Sequence, residues 1–386
     1  MTLPPLFTPI ALRGVTARNR IALSPMCQYC ATDGLADDWH LVHLGKFAQG
    51  GAGIVFVEAT AVEARGRITY GDLGLWSDAH AGPLARIARF LAAHGALPAI
   101  QLAHAGRKAS MQRPWQGNGA LTEADQAGGE RAWPVVAASA VPLDEGWLVP
   151  EALDAPGLAT VRAAWRDATL RAAAAGFAVL EVHSAHGYLL HSFLSPLANR
   201  RNDAYGGDLA GRMRFPLEVV ETVRAAWPAD RPLFVRISSV DGLDGGWTLE
   251  DSVAYARELK ARGVDVVDCS SGGLAGSATA GRAAPRGLGF QVPYAARIRA
   301  DAGIATMAVG LILEPAQADA IVASGQADIV AIGRELMNQP NWPVHAARAL
   351  GLPDRGFGEW PQQYGWWLER RERQLDRIWS ESSAGG

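Results

Sequence analysis

The chain has 386 residues, 49% of them hydrophobic and 19% charged, and its 36 basic and 39 acidic side chains leave a net charge of −3. So balanced a charge argues against nucleic acid as the main partner, which normally needs a clustered basic footprint, and no apolar run reaches the roughly 18 residues that would mark a membrane span. Three cysteines make no disulfide framework in a chain this long, and with no basic-then-apolar leader at Met1-Thr2-Leu3-Pro4-Pro5 the expectation is a cytoplasmic protein.

Residues 5–19 read as a short hairpin placed to close one mouth of the folded domain. Short β-rich apolar runs then alternate with longer Ala/Leu/Arg segments of helical period, which predicts βα units around a parallel sheet. The predicted strands are 21–23, 54–58, 97–101, 179–183, 233–237, 266–269, 306–309 and 329–332, and the predicted helices 39–49, 82–94, 158–175, 211–227, 249–262, 291–302 and 315–324. Eight strand–helix units is the count of a (β/α)8 TIM barrel, a single α/β domain over residues 1–386. An open doubly wound sheet normally carries a Gly-rich turn after its first strand, and neither G-x-G-x-x-G nor a P-loop occurs here. Residues 107–150, rich in Gly, Pro and Trp, interrupt the repeat after the third strand and read as a lid-like insertion. Residues 358–386 gather Trp360, Tyr364, Trp366 and Trp367 in a polar stretch, a pattern expected of a tail at a subunit interface.

Barrel chemistry sits where strands end. The exits of strands seven and eight carry Gly310 and Gly333-Arg334, small residues and a guanidinium suited to a phosphate. The fourth strand runs into His183, His186 and Tyr188. Two imidazoles three residues apart can donate to one oxygen, pack as structural histidines, or hold a metal with Glu181 or His191 as third ligand. Arg236 at the end of the fifth strand needs a phosphate, a carboxylate or a flavin edge as partner, and Gln101 can read an amide-like ring edge. Cys27 and Cys30 form a C-x-x-C without the helix N-terminus of a redox motif or the second cysteine pair of a zinc site. His40 and His43, one helical turn apart behind Asp38 as N-cap, read as packing residues.

From Leu6-Phe7-Thr8-Pro9 to Trp367-Leu368-Glu369-Arg370 the chain resembles the Old Yellow Enzyme family of flavin-dependent ene-reductases, in its thermophilic-like or xenobiotic-reductase branch. The most specific stretch is residues 183–207, which contains His183-Ser184-Ala185-His186-Gly187-Tyr188 and Asn199-Arg200-Arg201-Asn202-Asp203; Ser24-Pro25-Met26-Cys27-Gln28-Tyr29, Gln101-Leu102-Ala103-His104-Ala105-Gly106-Arg107-Lys108 and Ile332-Gly333-Arg334-Glu335 support it. The resemblance implies a barrel with FMN at its C-terminal face, reduced by NADPH or NADH in a ping-pong scheme. It implies that Ser24, Pro25, Met26, Cys27, Ala59, Gln101 and Arg236 line the flavin and that Gly310, Gly333 and Arg334 hold its phosphate. His183 and His186 would bind the oxygen of an enone, maleimide or nitro acceptor, and Tyr188 would donate the proton. Cys27 and Tyr29 would stand on the substrate side, and Trp367 would reach an adjacent subunit's site in a homodimer or larger homo-oligomer. Competing readings are a metal-dependent barrel hydrolase built on His183 and His186, and a flavin-binding protein without turnover.

Overall fold

The computed structural model describes residues 3–276 and 287–384, with side chains to residue 381. Eight strands form a closed parallel barrel. They are β1 (Ile21–Leu23), β2 (Ile54–Ala61), β3 (Leu97–Ala103), β4 (Val179–Ser184), β5 (Leu233–Ser238), β6 (Val266–Ser270), β7 (Ala305–Val309) and β8 (Ile329–Ile332). Each strand pairs with its neighbour in sequence, and β8 closes on β1 through Val330↔Ile21 and Ile332↔Leu23. Helices follow the strands, among them α1 (Asp38–Gln49), α2 (Ala81–Ala93), α3 (Ala155–Ala174), α4 (Leu209–Ala226), α5 (Leu249–Ala261), α6 (Val292–Ala302) and α7 (Pro315–Ala323). The strand–helix order expected from the sequence is the observed one. Several strands differ from expectation by a single residue, but two run further: β2 continues to Ala61 and β3 to Ala103, because Ala59–Ala61 pair with Gln101–Ala103 beyond a bulge at Val57/Ala59. Alanines signal a strand only weakly, so pattern alone ends both early.

Side chains alternate in and out along each strand. Ile54, Phe56, Ala99, Val179, Phe234, Val266, Met307 and Ile329 fill the lower barrel interior, while Val55, Val57, Leu180, Val182, Val235 and Val267 pack outward among residues of the helices. Continued upward, the same alternation brings Gln101, Glu181, His183, Arg236, Asp268 and Ser270 to the interior face nearer the C-terminal end, all of them buried. Greasy below and polar above, the barrel is closed at its foot as the sequence predicts. Strands Ile10–Leu12 and Val15–Ala17 form the hairpin, and Ile10, Leu12 and Ala17 join the lower interior cluster.

The N-cap of α1 is Asp37, not Asp38; its carboxylate accepts from Trp39 N at 3.0 Å. Asp38 instead begins the helix and meets Arg86 on the surface. His40 and His43 are both buried, as expected of packing residues. The segment after β3 contains a short helix, Glu123–Ala127, and the strand Val136–Ala137 paired with Glu151–Ala152. The tail is helical over Gln362–Ala384 and neighbours the Pro353–Glu359 turn. Among the described residues no helix is long and apolar enough to cross a membrane.

Candidate active site

Tyr188 is the hub of the barrel's C-terminal mouth. Its ring packs with Ile68, Ala105, Met111 and Val135, against which Cys27, Tyr29, Trp133 and Trp147 lie. The insertion therefore supplies part of the wall around it. The ring centroids of His183 and Tyr188 are 4.9 Å apart, those of His183 and His186 5.2 Å, and those of His186 and Tyr188 6.5 Å, each pair close to perpendicular. Both imidazoles and the phenol thus edge one shared space.

The turn after β4 is built to hold them. His186 has a left-handed φ of 59°, a conformation a non-glycine residue keeps only when its surroundings fix it. Its N–H donates to Ser238 Oγ at 2.9 Å. Gly187 (φ 74°) leaves no room for a side chain, since a Cβ there would stand 2.6 Å from Gly273 O. Gly187 N donates to His191 Nδ1 at 2.8 Å, and His191 Nε2 lies 2.9 Å from Asp241 Oδ1. His191 is thereby spent on structure. Glu181 Oε1 accepts from Gln101 Nε2 at 2.8 Å, while its Oε2 is buried without a partner among the described residues. The described side chains grouped closely enough to hold a metal are Cys30, Asp37 and His40, not the His183–His186 pair.

Burial, followed by the nearby Arg236 charge, holds both His183 and His186 well below the usual imidazole range. They are neutral rings with one N–H each. Ala185 N donates to His183 Nδ1 at 3.2 Å, which puts that ring's proton on Nε2. Burial pushes the Tyr188 phenol well above its ordinary range, with Cys27 and Asp72 adding to the rise, so it carries its proton at neutral pH. The Cys27 thiol is likewise raised by burial and then by Glu58, and is a neutral thiol.

Arg236 Nη1 donates to Ser24 Oγ at 3.0 Å and lies 3.1 Å from Asp268 Oδ2. The partner predicted for this guanidinium is thus a carboxylate from the neighbouring strand, but only in part. Arg236 Nε, although buried, finds no acceptor among the described residues, and such a donor is costly unless something else meets it. The electron-rich edge of a flavin is an acceptor of that kind. Glu181 and Asp268 are both pushed upward by burial. Gly310, at φ 117°, closes on Gln291, where a Cβ would stand 2.8 Å from Nε2, and a Cβ on Gly333 would stand 3.2 Å from Met26 Sδ. Bare backbone is therefore kept at both exits, against Gln291 after β7 and against Met26 and Ser24 after β8. Arg334 follows with an exposed side chain.

Of the residues singled out in the sequence, the structure brings His183, His186 and Tyr188 together with Cys27 and Tyr29, and Ser24 with Arg236; Ala59 and Gln101 sit opposite each other in the β2–β3 register. It does not bring in Trp367. That side chain is 67% exposed on the C-terminal helix, where its ring meets that of Trp366 edge-on with centroids 4.6 Å apart. Cys30 turns to His40, with Sγ 3.6 Å from Nε2, and all three cysteines are free. Sequence reasoning missed Glu58, whose Oε2 accepts from Gln28 N at 2.8 Å and braces the Cys27–Tyr29 loop. It also missed Ser270, 2.7 Å from His186 Nε2, and Lys108. Strand alternation was the signal available for Ser270; a buried lysine in a loop offers none.

Residues 5–352 match the NADH:flavin oxidoreductase / NADH oxidase family. The chain is 44% identical over 348 residues to an NADPH dehydrogenase of Geobacillus sp. (strain WCH70), covering 90% of this chain and 94% of that protein. An NADPH dehydrogenase of Listeria monocytogenes serotype 4a is 42% identical over 361 residues, 93% of this chain and 98% of its own length. Among solved structures, morphinone reductase superimposes with a TM-score of 0.73 at 26% identity, covering 92% of this chain and 93% of that one. The Old Yellow Enzyme homologue from Zymomonas mobilis gives 0.72 at 25% identity, covering 90% and 93%.

Proposed function

The chain belongs to the NADH:flavin oxidoreductase / NADH oxidase family, and from that membership we propose that it reduces the activated C=C bond of small α,β-unsaturated carbonyl or nitro compounds. It is an NAD(P)H-dependent flavin oxidoreductase of the Old Yellow Enzyme type, with FMN as cofactor. The observation that carries the finer reading is the ring triad: two neutral imidazoles and one protonated phenol around a single space, above a buried arginine with a spare donor.

In this reading Ser24, Pro25, Met26, Cys27, Ala59, Gln101 and Arg236 hold the flavin ring, and Gly310, Gly333 and Arg334 its phosphate. FMN, when bound, supplies the hydride. His183, through Nε2–H, and His186 donate to the acceptor's oxygen; because the donors are held in place beforehand, they stabilise charge as it develops there, as an oxyanion hole does. That polarisation makes the β-carbon electrophilic. Tyr188 Oη then gives its proton to the α-carbon as general acid. Cys27 and Tyr29 border the acceptor, and residues 107–150 act as a lid. The exposed pair Trp366 and Trp367 packs in the proposed assembly against a second copy, where Trp367 completes the neighbouring site.

The test is anaerobic. Protein reduced by NADPH is mixed with an enone, a maleimide and a nitroalkene while flavin absorbance is followed. Rapid reoxidation with formation of the saturated product supports the reading; a flavin that NADPH bleaches but that none of the three reoxidises overturns it. Elution as a monomer in gel filtration overturns the role given to Trp367.

A further inference from the structure

Lys108 is the third residue of the turn Gly106–Lys108 that follows β3, and it is 1% exposed. Its Nζ donates to His186 O at 2.9 Å and to Gly273 O at 2.6 Å, and lies 5.5 Å from the centroid of the Tyr188 ring. Among the described residues no carboxylate lies within ion-pair reach of it. Burying an ammonium on carbonyl oxygens alone is expensive, and a carbon side chain of the same length would fill the space without that cost. The tether it makes is nonetheless specific: one carbonyl belongs to the strained residue of the His183–Tyr188 turn, the other to the loop after β6 against which that turn packs.

Resting on the ene-reductase reading above, we propose that Lys108 is a positioning residue whose charge stabilises the Tyr188 phenolate formed as the proton leaves. When Tyr188 protonates the α-carbon, its O–H bond breaks, a C–H bond forms on the acceptor, and the electron pair stays on Oη; water later returns a proton to it. The acceptor's negative charge has then moved to the tyrosine, on whose ring face the ammonium sits. An anionic ring attracts that cation more strongly than a neutral one, so the contact strengthens as the proton is transferred. That is the condition for lowering a barrier rather than tightening a ground state.

The charge and the tether separate with pH. Burial, with Arg107 beside it, brings the Lys108 ammonium down to about 7. The charged and titratable groups facing it are Arg107 on its own turn and His183, His186 and Tyr188 from the β4 exit; Arg236 from β5 acts on the same histidines and on Tyr188. Both histidines are already neutral and Tyr188 keeps its proton, so none of these neighbours changes charge near neutrality. A neutral amine still has two N–H bonds for the two carbonyls. Raising the pH therefore removes the charge and keeps the geometry.

The experiment compares wild type with Lys108→Met and Lys108→Arg as FMN-loaded proteins, measuring flavin reduction by NADPH and reoxidation by an enone separately across the neutral range. Wild-type reoxidation is expected to fall as pH rises through the lysine ionisation. Lys108→Met should be slower by roughly tenfold at the acidic end and show no such fall, with flavin reduction little changed. Lys108→Arg, which stays charged, should hold its reoxidation rate flat; it carries the test alone if the methionine variant does not fold. A wild type that reduces no alkene overturns the functional reading and this proposal together. A wild type that does, alongside variants that keep its pH profile, overturns the role of Lys108 alone.

Discussion

His186 Nε2 lies 2.7 Å from Ser270 Oγ, across the top of β4 and β6. A neutral imidazole has one N–H, and the hydroxyl beside Nε2 decides where it is. If Ser270 donates, the ring's proton sits on Nδ1 and His186 serves as the second donor to an acceptor oxygen. Ser270 also reaches Gln291 Oε1, but at 3.4 Å, the weaker of its two contacts. Ser270→Ala should therefore raise the enone KM and slow flavin reoxidation by about tenfold, as loss of an outer partner to a working histidine does. Reduction by NADPH should be less affected. Steady-state and stopped-flow rates for the two half-reactions check this, and equal slowing of both would count against it.

Tyr188→Phe removes the proton and keeps the ring that His183 packs against. Flavin reduction by nucleotide needs no proton from this position and should run near the wild-type rate. Reoxidation by an enone should slow by roughly 10²-fold or more, the usual contribution of a general acid. A variant slowed equally in both half-reactions would show that Tyr188 shapes the pocket rather than protonates the substrate.

Cys27 is a neutral, half-buried thiol at the exit of β1, raised by loss of solvent and by Glu58. An S–H dipole near a flavin favours the more electron-rich, reduced ring, so Cys27→Ala should lower the midpoint potential by about 30 mV, the equivalent of one weak hydrogen bond. Spectroelectrochemical titration of both proteins reads this directly. An unmoved potential would leave Cys27 as a wall of the pocket only.

Period and punctuation made the barrel legible: each strand appeared where expected because a buried parallel strand is a near-continuous apolar run, and the hairpin because its alternation breaks at Arg13-Gly14. Strand ends were less visible. At Ala59–Ala61 the pairing depends on a bulge that no local pattern encodes. The same limit applied to the site. His183, His186 and Tyr188 lie within one turn, so spacing alone joined them. Ser270 and Lys108 reach that turn across 84 and 78 residues of chain, and only closure of the cylinder brings them there. Asp37 over Asp38 as N-cap turned on a single backbone angle, the extended φ of −131° at Asp37.

His43 gives the fold its own dependence on pH. The ring packs edge-on to Phe47, centroids 5.1 Å apart, and burial, then Lys46 and His40, brings it from 6.5 down to about 4. A base depressed in the folded state contributes stability that is whole above its unfolded value and is lost as pH falls through its folded value. Between about pH 6.5 and 4 the unfolded chain binds a proton that the folded one refuses. The contribution at stake is at most about 3 kcal/mol, from roughly 1.4 kcal/mol per unit of displacement. His183 and His186 act in the same direction, so the test is a difference. Urea midpoints of wild type should drop on acidification from neutrality toward pH 5, and those of His43→Leu, which keeps the apolar packing and has nothing to protonate, should drop less. Parallel curves for the two proteins would mean that the buried ring is already free to ionise in the folded state.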